Sequence, residues 1–147
     1  MFADAVSTER VLVVERFDRR PQRDAKGAVQ WIARLPQEDL CQAFGRSRDE
    51  KYEADGGPGI PDIIGLLARS TNAADDTRTF VLAQLANWLL AAPDGHAKNY
   101  SVFLTRDGYA MTPLYDVLSA WPIIGTGPNE WAEQDVTLSM GLRGKTV

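Results

Sequence analysis

The sequence predicts an α+β fold, mainly helical, with a strand pair near its start and a small hairpin past residue 100. Three observations point there. Two apolar runs rich in β-branched and aromatic residues fall within the first 35 positions. Helix start and stop signals recur between Pro36 and Ala92. The segment from Tyr100 to Leu114 carries alternating residues on either side of an Arg-Asp-Gly turn.

The elements follow in order. "RVLVVERF" (Arg10–Phe17) contains the consecutive apolar residues Val11–Val14 and predicts a buried strand. "AVQWIARL" (Ala28–Leu35) predicts a second, with the polar "DRRPQRDAKGA" as the hairpin loop between them. "LPQEDLCQAFG" predicts a helix: Pro36 suits a first turn, Glu38 and Asp39 suit the positive end, and Gly45 can close it. Leu40 and Phe44 share its face. "SRDEKYEADGGPG" reads as a loop, "IPDIIGLLARS" as a short helix and "NAADD" as a break. From about Thr77 to Ala92 a helix apolar nearly all round implies burial on several sides. Pro93 ends it by disfavouring helical geometry at Ala92. "YSVFL", "RDG" and "YAMTPL" then make the hairpin, and the tail from Gly125 is glycine-rich with weak periodicity.

Composition narrows the function classes. At 147 residues, 44% hydrophobic and 24% charged, the chain has enough apolar material for one soluble domain. A net charge of −4 gives no electrostatic footprint for nucleic acid. A single cysteine, Cys41, excludes an internal disulfide and a Cys-rich zinc site. Residues 1–10 lack the basic start and apolar centre of a leader, and no run is long enough to span a membrane. A cytoplasmic protein with no membrane partner is the expectation.

The chemistry centres on "APDGHAKNYSVFL". His96 is the only histidine, and zinc takes three or four ligands, so the sequence does not point to a zinc site there. The neighbours are more informative. Asp94 and Asn99 stand five apart, and Asp116 follows the hairpin. Phosphoryl transfer needs one carboxylate to orient an attacking hydroxyl. It also needs an amide oxygen and a second carboxylate to hold magnesium against nucleotide phosphates. The D-x-x-x-x-N spacing with a later aspartate is that of the protein-kinase catalytic loop. A structural alternative stays open: Asp94 and Asn99 satisfy turn backbone groups, and Asp116 caps a helix starting near Val117.

Several motifs in one order carry a resemblance. "VVERFDRR", "LPQEDLCQAFG", "KYEADGGPGI", "DGHAKNYSVFL" and "TPLYDVLSAWP" together resemble the HipA family of bacterial serine/threonine kinase toxins, linked to persistence, from about Val11 to Gly144. The resemblance implies a protein-kinase-like (HipA-type) partial fold over residues 1–147. Residues 1–35 would hold the hinge strands and 36–147 the catalytic part of the large lobe. The family's N-terminal lobe and C-terminal helical bundle would be absent. It implies Asp94 as the catalytic aspartate, with Asn99 and Asp116 binding magnesium. Glu15, Arg16 and Phe17 would form a hinge whose backbone meets the adenine of ATP. Gln37 would be a helix residue close to the site, and His96, Ala97, Lys98 and Tyr115 would join Asn99 and Asp116 around the nucleotide. The implied partners are a protein substrate of the aminoacyl-tRNA synthetase class and a HipB-like antitoxin, with DNA reached only through the antitoxin. The alternative is a catalytically inactive kinase-like fragment that binds nucleotide or antitoxin.

Other features read as structure. "GGPG" lacks the following Gly-Lys-Ser/Thr of a phosphate loop and is taken as a turn. Arg19, Arg20 and Arg23 read as a solvated face, Cys41 as a core residue, and the dispersed Trp31, Trp88, Trp121 and Trp131 offer no stacking platform.

Overall fold

A computed structural model of the chain describes residues 11–132 and 136–141. Residues 1–10, read from the sequence as lacking a leader, and parts of the weakly periodic tail (133–135 and 142–147) lie outside the described residues. The chain divides into two compact units, Met1–Arg34 and Leu35–Val147.

In the first unit, the strand expected over Arg10–Phe17 is not found. Val11–Val14 have no regular secondary structure and are exposed. A β-branched run forms a buried strand only beside a partner, and no described residue pairs with it. The hairpin exists but is shifted into the expected loop. Strand β1 (Arg19–Arg23) pairs antiparallel with β2 (Val29–Arg34), with an irregularity at Gln22/Arg23. Pro21 is tolerated because both strands of a two-stranded sheet are edges. Asp24 Oδ1 closes the turn by accepting the Lys26 and Ala28 backbone N–H groups, each at 2.9 Å. Asp18 is enclosed by the Arg16 and Arg19 guanidiniums at 2.8 and 2.6 Å.

The second unit holds the core. Strand β3 (Gln37–Asp39) lies beside β4 (Ser101–Thr105), which pairs with β5 (Gly108–Met111), all antiparallel in the order β3-β4-β5. Sequence grammar placed a helix from Pro36 onward. Helix α1 is only Leu40–Ala43, because residues 37–39 are taken into the sheet and the cap is Asp39. Gln37 is therefore a strand residue, not a helix residue. Asp39 Oδ1 accepts the Gln42 N–H at 2.9 Å while Gln42 Oε1 accepts the Asp39 N–H at 3.0 Å, a reciprocal cap. Gly45, at φ 63°, ends the turn.

Helix α2 (Ile60–Leu67) forms where expected, with Pro61 in its first turn. Helix α3 spans Ala73–Leu89 and so includes most of the stretch read as a break. Asp75 and Asp76 stand in its first turn, where a negative charge suits the helix end. Asp76 also accepts from Ser70 Oγ at 2.6 Å and from the Met111 N–H at 2.9 Å, tying the helix start to β5. The helix ends before Ala92. Ala91 turns left-handed at φ 48°, and the Ala91 and Ala92 N–H groups bond back to the Trp88 and Asn87 carbonyls.

Burial on several sides of α3 is also corrected. Phe80, Ala83 and Asn87 are buried, whereas Val81, Leu82, Leu85, Trp88 and Leu89 are exposed. The core draws on Leu40, Cys41, Ile63, Leu67, Phe80 and Val102, so Cys41 is the core residue expected. Burial in that apolar setting raises the Cys41 thiol pKa. Among the described residues no helix is long and apolar enough to cross a membrane.

Candidate active site

The loop between α3 and β4 is pinned from three sides. Its glycine is required: a Cβ on Gly95 would fall 2.4 Å from Asn87 Nδ2. Asn87 is held in turn, because its amide and that of Gln84 both donate to the Tyr100 hydroxyl at 2.8 Å. The 3₁₀ turn Ala97–Asn99 follows, with Ala97 fully buried and its N–H bonded to the Lys51 carbonyl at 3.3 Å. Tyr115 ties the loop to the segment after β5. Its hydroxyl donates to the Lys98 carbonyl at 2.9 Å, so the Ser101 hydroxyl, 2.5 Å away, donates to Tyr115. Burial pushes the Tyr115 phenol pKa up.

This frame brings the predicted residues together in two clusters. In one, Asn99 Nδ2 donates to Asp116 Oδ2 at 3.0 Å. Asp116 adopts φ 56°, a left-handed conformation uncommon outside glycine that aims its carboxylate back at the loop. No helix begins near Val117, so the capping role for Asp116 is not realised. In the other cluster, Asp94 Oδ1 accepts from the Tyr52 hydroxyl at 2.9 Å and lies 3.4 Å from His96 Nε2. The Asp94 side chain is 57% exposed and borders a cavity of about 170 Å³ lined by Pro93, Leu118, Ala120 and Ile123. Two larger apolar hollows along α3 contain none of the predicted residues.

His96 is buried, with 6% exposure, and its ring meets Tyr52 edge to face at 5.1 Å. Burial, the largest cause, lowers its pKa; Lys51 lowers it further while Asp94 opposes. The imidazole is therefore neutral at neutral pH. Its Nδ1 finds no hydrogen-bond partner among the described residues, consistent with a proton on Nε2 facing Asp94.

Lys98 is committed elsewhere than to solvent. Its ammonium lies 2.6 Å from Asp39 Oδ2, while the other Asp39 oxygen caps α1. Gln37 shares the Asp39 face of β3 by strand alternation, and its Oε1 is buried without a partner among the described residues. Glu15, Arg16 and Phe17 belong to the Met1–Arg34 unit, where Arg16 is paired with Asp18. Sequence reasoning gave Tyr52 no role and placed Asp39 only at the positive end of the predicted helix. Both lay inside quoted motifs, and Asp39 was legible as a cap three residues before Gln42.

The donor set bears on a metal. Among the described residues no three His, Cys, Asp or Glu side chains cluster. Asn99 and Asp116 offer an amide oxygen and one carboxylate, hard donors that suit magnesium completed by phosphate oxygens and water. The residues fit such an ion.

The three-stranded sheet, helix α3 before the loop and the aspartate after the hairpin define a partial kinase-like fold. The chain belongs to the HipA-like C-terminal domain family, whose sequence model matches residues 2–146. It is 43% identical over 109 residues to "Putative kinase Y4mE" of Sinorhizobium fredii, covering 74% of this chain and 25% of that protein. It is 36% identical over 121 residues to the serine/threonine-protein kinase toxin HipA of Shewanella oneidensis, covering 75% and 27%. A chain in the solved complex of Shewanella oneidensis HipA, HipB and operator DNA superposes with a TM-score of 0.70 at 30% identity, covering 86% of this chain and 29% of that one. The motif resemblance is thereby borne out. The chain spans about a quarter of the length of the curated relatives it matches.

Proposed function

We propose that this chain is the catalytic-loop segment of a HipA-like serine/threonine-protein kinase toxin, transferring the γ-phosphate of ATP to a protein hydroxyl. The observation that carries the reading is the 3.0 Å contact between Asn99 and Asp116, two oxygen-bearing side chains gathered beside the loop that presents Asp94. Asp94 orients the acceptor hydroxyl and takes up its proton as the oxygen attacks the γ-phosphorus. Asn99 and Asp116 supply oxygens for magnesium. When bound, magnesium neutralises charge on the nucleotide phosphates. His96, buried and neutral, lines the site. Gln37, Ala97, Lys98 and Tyr115 belong to the nucleotide site in this reading, and the resemblance assigns Glu15, Arg16 and Phe17 to a hinge whose backbone meets adenine.

The likeness to HipA in a HipB–operator complex supports a HipB-like antitoxin as partner, with DNA engaged through it. A protein of the aminoacyl-tRNA synthetase class as substrate, and a cytoplasmic location, belong to the same reading. A second reading is a kinase-like module that binds nucleotide or antitoxin without transfer.

Calorimetry of ATP binding with and without magnesium tests the site. Wild type should bind in a magnesium-dependent way, and Asp116→Ala should lose that dependence. Asp94→Ala should still bind but fail to transfer labelled phosphate. Equal binding by wild type and Asp116→Ala would sink the metal assignment. Binding without transfer by wild type selects the second reading.

A further inference from the structure

We propose that Tyr52 is the positioning residue for Asp94, fixing its carboxylate so that the second oxygen faces the acceptor hydroxyl. The proposal rests on the phosphotransfer reading and deepens it.

Asp94 follows Pro93 in an open turn, and its side chain is largely exposed. An unanchored aspartate there would sample several rotamers, and a base must be held near one to act on a bound hydroxyl. Two groups reach it, and both address Oδ1. Tyr52 donates at 2.9 Å, while His96 Nε2 stands at a longer 3.4 Å. Among the described residues nothing donates to Oδ2. One oxygen is thus anchored and the other is left for an incoming donor.

Tyr52 is itself held as an anchor must be. Its ring packs edge to face on buried His96 at 5.1 Å, and the Lys51 ammonium lies over the ring, 4.7 Å from its centroid. Its carbonyl accepts from the Asp55 and Gly57 N–H groups at 3.1 and 2.9 Å. A Cβ on Gly57 would fall 2.4 Å from the Glu50 carbonyl and 2.8 Å from that of Tyr52. Only glycine lets the chain fold back so closely. Gly56, at φ 92°, makes the preceding turn. The glycines of "KYEADGGPG" thus build the loop that presents Tyr52 to the catalytic aspartate.

The test compares wild type, Tyr52→Phe and Asp94→Ala in labelled-phosphate transfer to dephosphorylated casein, with magnesium–ATP affinity and melting temperature measured on the same preparations. The Phe ring preserves the packing on His96 and removes only the donor. Turnover of Tyr52→Phe should fall about 10- to 100-fold, while KM for ATP and the melting temperature stay unchanged. Turnover within about twofold of wild type overturns the role of Tyr52. So does a loss of turnover that comes with weaker ATP binding or a lower melting temperature, since the hydroxyl would then serve folding. No transfer by wild type, or full transfer by Asp94→Ala, overturns the phosphotransfer reading and the role of Tyr52 with it.

Discussion

The side-chain amide of Asn99 donates to the Asp116 carboxylate at 3.0 Å, and Asp116 makes that contact from a left-handed backbone at φ 56°. The conformation costs most L-residues about 1–2 kcal/mol, less for aspartate, and almost nothing for glycine. The proposed metal role and the backbone preference therefore pull apart at this position. Asp116→Gly should fold with stability within about 1 kcal/mol of wild type yet lose magnesium-dependent ATP binding. Asp116→Ala should lose the same binding and be about 1 kcal/mol less stable than the glycine variant. Urea denaturation and calorimetry on the pair check both. A glycine variant that binds as wild type does would remove Asp116 from the metal site.

His96 gives the chain a pH-dependent stability that can be isolated, because it is the only histidine. Burial lowers its folded-state pKa below the ordinary value of about 6.5 that an unfolded chain retains. As pH falls, the unfolded chain takes up this proton first. The contribution is therefore complete above about pH 6.5 and is lost as pH drops toward and through the folded-state value. Glu50, held low first by the Ser47 backbone N–H, and Asp18, held low first by Arg16, lose their shares only in the more acidic carboxylate range. The urea midpoint should fall between about pH 7.5 and about pH 5.5, and His96→Gln should flatten that change. An equal slope in both proteins would place the titrating group elsewhere.

What the sequence could show follows from how local each signal is. The β4–β5 hairpin was legible because alternation and an Arg-Asp-Gly turn act within one stretch of chain. The family and the pairing of Asn99 with Asp116 were legible because their motifs are long and ordered. Val11–Val14 failed for the opposite reason: a strand is completed by a partner that local composition cannot supply. The same limit applied to α3, where apolar residues around the whole circumference implied burial that Trp88, at 64% exposure, does not have among the described residues. Helix α1 was overcalled because pairing of residues 37–39 with β4 outcompeted local helix signals. Tyr52 was missed because it lies 42 positions from the aspartate it holds.

Gly95 is where the loop that carries Asp94 meets the core, and it makes the most exacting test of the fold. Its Cα passes so close to the buried Asn87 side chain that an added Cβ would lie 2.4 Å from Nδ2 and 3.1 Å from Cγ. Backbone strain is not the issue; contact is. In Gly95→Ala either Asn87 must rotate or the loop must lift. Rotation breaks the 2.8 Å bond from Asn87 to the Tyr100 hydroxyl in a buried setting. Lifting the loop displaces Asp94 from Tyr52. Overpacking and the lost hydrogen bond should together cost about 2–4 kcal/mol in urea denaturation. Shortening the obstructing side chain separates the two responses. Gly95→Ala combined with Asn87→Ala removes the clash, so the double variant should be less destabilised than the sum of the singles by about 1 kcal/mol or more. Additive costs would mean that the loop, not Asn87, yields. In that case Gly95→Ala should also lose phosphate transfer while Asn87→Ala retains it.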